Sequence, residues 1–494
     1  MALKAKAARG VLWTLVEYGG GEGIAFLVFL VLARVIAPAD FGLVSLALVF
    51  IAFVQLFLNQ GFADAIVQRA EIEPDHYSTA FWTNLAIAVA FVLLSVLGAG
   101  AAADFFRQPE LASVLRWLSP LPIGTALISI HQAVFRRRLD FSNFAKRAII
   151  GIGIGGVVGI GLALNGYGVW SLVGQQLTNA AASVVVIWWN CPWHPSFRFS
   201  RRCFREMAAF SAPVIGSNLV TFVYHKTDVS LIGYFLGTHQ LGYYYLVQRL
   251  LITLGLVTQS TIQSIVMPVL SRVQQDRARF REIFTTTVQL LDAVWLPLAF
   301  GAGLVASLLL PTIFGAKWLP AVPLMEIMAL CGFTDAFTLY SGPALIAAGR
   351  PDAFFRLSLV QPVLAIAIMV PATRFGLIGI AAAFILVGAA MIPIHMLVLR
   401  RNAAIHPGTI FARCAGANVA AIVMAATVLP VKAMLTPALP PFAALALSAA
   451  TGALVYVTVL AIVAPALLRR ILDLVASALG RGEARGEGAL EPTA

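Results

Sequence analysis

The stretch ARVIAPADFGLVSLALVF, residues 33–50, lies between two long apolar runs. Pro38 and Asp40 interrupt it, where one helix can end and the next can begin. Near residue 232, the stretch IGYFLGTHQLGYYYLVQRL aligns with it without gaps and brings Gly42 onto Gly242. The same arrangement, two apolar runs joined by a short turn, thus occurs twice at an offset of 200 residues. It predicts a duplicated helical membrane protein.

The composition agrees with this prediction. The chain has 494 residues, of which 60% are hydrophobic and 11% are charged, whereas soluble domains carry about 25% charged residues. We predict an all-α integral membrane protein with about 14 transmembrane helices, because many apolar runs reach the ~20 residues needed to cross a bilayer. The predicted spans lie near residues 11–35, 41–65, 79–101, 113–134, 145–164, 168–189, 208–234, 241–267, 284–310, 320–346, 354–373, 376–399, 411–431 and 442–465.

The distribution of basic residues predicts the orientation. With the N-terminus inside, 26 of the 34 Lys and Arg residues lie on the inner side and six on the outer side. Cytoplasmic loops carry such an excess, so we predict a multi-pass membrane protein with both termini in the cytoplasm. Topology therefore explains the net charge of +12, and we predict no nucleic-acid partner.

The repeat predicts the domain organisation. Six spans up to about residue 200 match six more up to about residue 400, and an even number gives both copies the same orientation. We predict two parallel six-helix lobes around a central cavity, residues 1–200 and 201–402. Two extra C-terminal helices, spans 13 and 14, follow over residues 403–470, and residues 471–494 form a cytoplasmic tail that is partly disordered.

Ionisable residues inside the predicted spans are candidate site residues, because each costs at least about 2.5–3.5 kcal/mol in a bilayer. Lys226 in span 7 is predicted to face an anionic substrate, with a structural ion pair to Asp228 as the alternative. Arg249 in span 8 has a planar fork that suits phosphate or carboxylate; a snorkelled side chain is its alternative. Arg34, at the outer end of span 1, is a further candidate, and the anchoring of the helix at the interface is its favoured alternative.

Carboxylates in spans 1 and 7 are candidates for ion coupling. Glu17 and Glu22 flank three consecutive glycines in span 1, where a helix can bend. Together with Asp228 they are predicted to bind a coupling proton or sodium ion, and hydrogen bonding to a neighbouring helix is the alternative.

Polar amides occur in pairs four residues apart, which places each pair on one helix face. The pairs are Gln55 and Asn59 in span 2, Gln175 and Asn179 in span 6, and Gln259 and Gln263 in span 8. Amides of this kind can bind sugar hydroxyls, and interhelical hydrogen bonding is the competing interpretation. We include the pairs of spans 2 and 8 among the predicted substrate-binding residues.

Sequence motifs of common enzymes are missing from the chain. It contains no GxxxxGK[ST] phosphate loop, no HExxH and no GxSxG, so we expect no ATPase, zinc-protease or hydrolase chemistry. No catalytic residue, metal or cofactor is predicted, apart from the coupling ion.

Several motifs carry a family resemblance. LARVIAPADFGLVSLALVF followed by GFADAIVQR resembles the start of bacterial polysaccharide-repeat-unit flippases of the colanic-acid exporter type. DVSLIGYFLGTHQLGYYYLVQRL, PVLSRVQQD, WLPAVPLMEIMALCGF and PALIAAGRP also fit, in order, over about residues 1–400. The resemblance implies the multidrug/oligosaccharidyl-lipid/polysaccharide export superfamily, whose members have two six-span lobes and alternate access between faces. Its lipid II flippases carry arginines in early spans, where this sequence has Glu17 and Glu22.

The resemblance implies a flippase of the bacterial inner membrane that moves undecaprenyl-diphosphate-linked oligosaccharides for surface polysaccharide synthesis. Its partners would be this lipid-linked substrate, the bilayer and the polysaccharide polymerase machinery. One alternative is a drug/cation antiporter of the same superfamily, which would favour carboxylates and aromatic residues in its cavity. Another is a membrane glycan polymerase or ligase, which would usually need a larger extramembrane loop than this chain has.

Overall fold

A computed structural model describes residues 20–59, 61–69, 71–138, 140, 142–261 and 267–478. Within this part of the chain the regular elements are helices, with no strand, which confirms the all-α prediction. The α-helices are α1 Glu22–Val35, α2 Pro38–Asn59, α3 Phe62–Gln68, α4 Pro74–Phe106, α5 Glu110–Leu118, α6 Leu121–Arg138, α7 Ser142–Leu164, α8 Val169–Asn190, α9 Arg201–Phe235, α10 Gly237–Thr261, α11 Met267–Arg272, α12 Arg277–Leu304, α13 Ala306–Phe314, α14 Val322–Met328, α15 Cys331–Thr338, α16 Ser341–Ala347, α17 Pro351–Ala372, α18 Gly376–Ala403, α19 Pro407–Ala438, α20 Pro441–Val463 and α21 Pro465–Ala478. Short 3₁₀ helices occupy Ala316–Ala321 and Thr373–Phe375.

Eight helical segments of the described chain are long and apolar enough to cross a membrane. One of them, Pro351–Ala403, has 53 residues and contains the predicted spans 11 and 12. A ninth candidate is the pair Ala316–Met328 and Cys331–Ala347, which is bent by 43° at its break. Helices α9 and α10 are long enough but carry more polar residues. The chain is therefore a multi-span membrane protein, and the count of fourteen stays a prediction.

The chain divides into two compact units. The first contains the described residues of Met1–Arg249, Ile313–Pro320 and Pro362–Ile380. The second contains those of Leu250–Thr312, Ala321–Gln361 and Ala381–Ala494. The domain boundaries predicted at residues 200, 402 and 470 stay predictions, and residues 479–494 of the predicted tail lie outside the described residues.

In the first unit, a glycine stripe on α7 lets α8 approach closely. A Cβ added to Gly151 would lie 2.5 Å from the Ser183 hydroxyl, and one added to Gly155 would lie 2.8 Å from the Gln175 carbonyl oxygen. Small residues at a helix contact allow such approach in membranes. The packing of α8 against this stripe holds Gln175 in place, and it also holds Asn179, one turn further along.

The ends of α2 and α10 in the same unit also cross closely. A Cβ added to Gly42 would overlap the carbonyl oxygen of Thr238, and one added to Gly242 would overlap that of Pro38. The two glycines that the repeat alignment superposes are thus in reciprocal contact, each against the first turn of the other helix.

Candidate functional site

A cavity of about 250 Å³ lies inside the first unit. Helices α1, α2, α7, α8 and α10 surround it and contribute Ala25, Phe29, Leu32, Phe41, Val44, Leu48, Ile152, Leu172, Gln175, Gln176, Asn179, Tyr245 and Arg249. Polar and apolar side chains both line this space. It can therefore hold a ligand that carries charge and hydroxyl groups and also presents an apolar surface.

The cation of the cavity is Arg249. Its Nη2 donates to Oε2 of Glu22 at 3.0 Å, and the two side chains are 25% and 37% exposed. An ion pair that remains this accessible contributes only about 0–1 kcal/mol. An anionic ligand could therefore replace Glu22 as a partner of the guanidinium without breaking the fold.

Three amides of α8 lie on the cavity wall, namely Gln175, Gln176 and Asn179. The Oδ1 of Asn179 accepts a hydrogen bond from the Ser183 hydroxyl at 3.4 Å, which orients the amide. Each amide offers an acceptor and two donors. This chemistry matches hydroxyl groups, which both donate and accept hydrogen bonds.

Aromatic rings form another part of the wall. Tyr245 stacks on Phe41 with ring centroids 6.0 Å apart, and Phe29 contacts both rings edge-on at 6.2 and 5.8 Å. Phe41 in turn contacts Trp318 at 6.0 Å. These contacts make the aromatic part of the wall rigid and apolar, whereas the amides of α8 make another part of it polar.

The predicted residue Arg34 lies at the C-terminal end of α1 and not in the cavity wall. Its Nη1 donates to the carbonyl oxygen of Ile313 at 2.8 Å. Beside it, Lys317 Nζ donates to the Ile36 carbonyl at 2.6 Å, and Trp318 Nε1 donates to the Ala33 carbonyl at 2.8 Å. Together these bonds fasten residues 313–318 to the end of α1.

The predicted residues of α9 also lie away from the cavity wall. Asp228 is 7% exposed and accepts hydrogen bonds from the Tyr244 hydroxyl and from Gln248 Nε2, the latter at 3.2 Å. Lys226 is partly buried, and its carbonyl oxygen accepts from the Ser230 hydroxyl at 2.7 Å. Asp228 therefore joins α9 to α10.

The remaining predicted residues fall as follows. Gln55 is partly buried in α2 and is not part of the cavity wall. Asn59 ends α2 and Gln259 lies in α10, while their side chains lie outside the described part of the chain. Glu17 and Gln263 also lie outside it.

Two residues of the cavity wall, Gln176 and Tyr245, were not predicted from the sequence. Each lies next to another polar residue, Gln175 or Tyr244, within an otherwise apolar span, and this pattern could have indicated them.

A network of charged residues joins α4 and α9 at the end predicted to be cytoplasmic. Glu206 Oε2 lies 2.6 Å from Arg69 Nη2 and 3.3 Å from His76 Nε2, and Glu73 accepts from Arg202 at 2.6 Å. The hydrogen bond from His76, followed by that from Arg69, lowers the pKa of Glu206, and Arg202 lowers the pKa of Glu73.

Three residues of this region could also bind a metal ion. Glu73, His76 and Cys203 offer ligand atoms within 4.8 Å of one another, but Arg69 and Arg202 would repel a metal cation.

Comparison with known proteins gives a family match. The family model described as "Polysaccharide biosynthesis protein" matches residues 31–323. The chain is 27% identical over 325 residues to the succinoglycan biosynthesis transport protein ExoT of Rhizobium meliloti (strain 1021), covering 65% of each chain. It is 26% identical over 307 residues to the teichuronic acid biosynthesis protein TuaB of Bacillus subtilis (strain 168), covering 61% of this chain and 63% of that one. The match thus spans just under two thirds of each of these relatives.

Solved structures show the same fold. The lipid II flippase MurJ in an inward closed conformation has a TM-score of 0.74 at 15% identity, covering 93% of this chain and 100% of that one. An inward-facing multidrug resistance MATE family transporter of the MOP superfamily has a TM-score of 0.62 at 14% identity, covering 77% and 94%. These likenesses confirm the predicted all-α fold class.

Proposed function

Because the chain belongs to the polysaccharide biosynthesis protein family, we propose that it is a transporter and not an enzyme. It flips undecaprenyl-diphosphate-linked oligosaccharide repeat units across the bacterial inner membrane by alternating access. The repeat units would supply a capsule, an exopolysaccharide or an O-antigen. The observation that carries this proposal is the cavity of the first unit, where one arginine lies beside three amides.

The chemistry of the cavity fits each part of such a headgroup. Arg249 would bind the diphosphate bidentately, since a guanidinium matches two phosphate oxygens at once. Gln175, Gln176 and Asn179 would exchange hydrogen bonds with sugar hydroxyls. Phe29 and Tyr245 would cover an apolar sugar face, and the polyprenyl chain would stay in the lipid.

The size of the cavity bears on the transport cycle. A volume of about 250 Å³ is below the 300–1,000 Å³ typical of sites for drug-sized ligands. It would hold the diphosphate and a neighbouring sugar, but not a whole repeat unit. We therefore expect the site to widen in the conformation that admits the substrate.

The other predicted residues keep their proposed roles along the path of the headgroup. Lys226, Arg34 and the amides Gln55, Asn59, Gln259 and Gln263 would contact the substrate in other conformations. Glu17, Glu22 and Asp228 would take part in coupling to a proton or sodium ion. The polysaccharide polymerase machinery would receive the flipped product.

A second candidate function is drug/cation antiport within the same superfamily. The partly exposed carboxylate of Glu22 and the rings of Phe29 and Tyr245 would suit an organic cation. Transport of cationic dyes by proteoliposomes of the purified protein tests this function. Dye movement that does not run against a concentration gradient of the dye would not count as active transport.

Deletion of the gene in its host tests the leading proposal. Extraction and mass analysis of lipid-linked sugars should show a complete repeat unit accumulating on undecaprenyl diphosphate, with loss of the surface polymer. Complementation with the wild-type gene should reverse both effects. Unchanged lipid-linked pools together with altered drug sensitivity would favour antiport instead.

A further inference from the structure

The second unit contains a pair of carboxylates that the substrate cavity does not include. Asp292 lies near the middle of α12. Asp335 lies in α15, just after the break between the helical segments Ala316–Met328 and Cys331–Ala347. Trp295, three residues after Asp292, donates from Nε1 to Oδ2 of Asp335 at 3.0 Å. Because residues three apart share a helix face, Asp292 lies on the side of α12 that packs against α15, so both carboxylates belong to the contact between these two helices.

Asp292 has no basic partner among the described residues. It is 1% exposed, and neither of its carboxylate oxygens accepts a hydrogen bond from a nitrogen or oxygen donor there. The basic side chains of α19 are engaged elsewhere, since Arg413 donates to the Thr286 hydroxyl at 3.0 Å and Lys432 donates to the Leu304 carbonyl at 2.8 Å. A buried carboxylate without a partner is strongly disfavoured as an anion and binds a cation or becomes neutral.

The surrounding groups decide which cation fits. Cys331 and Cys414 are 5% and 0% exposed, and the thiol of Cys414 interacts with Asp292. The hydroxyl of Tyr340 is buried without a hydrogen-bond partner in the described residues. Hard metal cations require several oxygen ligands, whereas two thiols, an indole N–H and only the hydroxyl of Tyr340 surround this pair among the described residues. The donor set therefore fits a proton better than a sodium ion.

The carboxylates of the first unit differ in this respect. Glu22 pairs with Arg249 at 3.0 Å, and Asp228 accepts hydrogen bonds from Tyr244, Gln248 and the Val229 N–H. These partners stabilise an ionised carboxylate. Asp292 is buried like Asp228, but it lacks the three hydrogen-bond donors that Asp228 has.

We propose that Asp292 and Asp335 form a proton-binding site in the second unit. One proton adds to a carboxylate oxygen, an O–H bond forms, and the charge of the pair changes from −2 to −1. Asp335 is partly exposed and Asp292 is buried, so the proton enters through Asp335. The use of this site to drive transport rests on the proposed function, but the binding of the proton does not.

Infrared spectroscopy of the purified full-length protein tests the site. At neutral pH the wild type is expected to show the C=O band of a protonated carboxylic acid, which shifts in D₂O. The difference spectrum between the wild type and the Asp292→Asn, Asp335→Asn double variant should contain this band. The Asp352→Asn variant is the matched control, since Asp352 is exposed at the start of α17 and pairs with Arg356 at 2.7 Å, and it should leave the band unchanged.

Asparagine resembles the neutral acid in size, so the variants should elute like the wild type in gel filtration. The single Asp292→Asn variant provides the same comparison with a smaller change. A band of equal intensity in the wild type and in both variants would overturn the site.

Complementation of the deletion strain separates proton binding from its use. The double variant is expected to reduce surface polymer at least tenfold and to accumulate lipid-linked repeat units. Loss of the band with normal polymer output would support proton binding and overturn its coupling role. Normal lipid-linked pools in the deletion strain itself would instead count against the proposed function, whatever the spectra show.

Discussion

Gly42 of α2 and Gly242 of α10 each lie against the first turn of the other's helix, so closely that a Cβ on either would overlap a backbone carbonyl. The contact is reciprocal between residues that occupy equivalent positions in the internal repeat. It holds together, in the first unit, the helices that carry Phe41 and Arg249, two residues of the candidate site.

Substitution of either glycine should therefore destabilise the protein. Gly42→Ala or Gly242→Ala inserts a methyl group where backbone atoms already fill the space, and such overpacking typically costs about 1–3 kcal/mol. The melting temperature of the purified protein should fall in both variants. Gly98→Ala in α4 is the matched control, because nothing lies within 4 Å of a Cβ there, and an equal loss in the control would contradict the account.

The ion pair between Arg249 and Glu22 leads to a prediction about substrate binding. Arg249→Lys keeps the charge but removes the bidentate fork, so polymer output in the complemented deletion strain should fall about tenfold or more, given the ~1.5–3 kcal/mol of a hydrogen bond to a charged group. Glu22→Gln keeps the guanidinium and removes the competing anion, so the purified variant should bind the diphosphate headgroup at least as tightly as the wild type, even where loss of the proposed coupling carboxylate lowers transport. Binding weakened equally in both variants would show that the pair serves structure alone.

The bonds of Asp228 predict a structural contribution that can be separated from ion coupling. Tyr244→Phe removes a donor from a buried carboxylate, and an unsatisfied buried acceptor costs about 1–3 kcal/mol. The melting temperature should therefore fall, while transport per folded molecule should change little. A variant of normal stability would contradict the structural contribution, and one that has also lost transport would show that the Tyr244 hydroxyl serves the coupling role proposed for Asp228.

The network around Glu206 predicts a dependence of stability on pH. Its folded pKa is lowered, chiefly by the hydrogen bond from His76, so its contribution to stability is present above the ordinary glutamate value near 4.5 and is lost as the pH falls through the lower, folded value. The melting temperature of the wild type should drop more than that of Glu206→Gln over this acidic range. Glu326→Gln, at an exposed position, should follow the wild type, and parallel curves for all three proteins would contradict the prediction.

Much of this architecture could be predicted from periodicity and charge alone. The apolar runs predicted a helical membrane protein, and the repeat alignment singled out Gly42 and Gly242. The spacing of four placed Gln175 and Asn179 on one face of α8, where the structure has both in the cavity wall. Patterns of this kind report which residues share a face of one helix.

Contacts between distant helices could not be predicted in the same way. Arg249 and Glu22 were both candidates, but with separate roles, because 227 positions separate them and nothing local in the sequence pairs them. The same holds for Asp335 and Trp295, whose bond depends on how α15 packs on α12. Arg34 was predicted at the end of its span, but its bond to Ile313 required knowledge of a segment almost 280 residues away.

The most direct test of the central claim is a flipping measurement with purified components. Undecaprenyl-diphosphate-linked repeat units from the deletion strain are reconstituted in both leaflets of proteoliposomes, and an impermeant oxidant then attacks the sugars that face outward. With the wild-type protein, the protected inner pool should become fully accessible over time, whereas Arg249→Ala protein should leave it protected, as should vesicles without protein. An inner pool that stays protected in the presence of folded wild-type protein and a proton gradient would show that the protein does not flip this substrate.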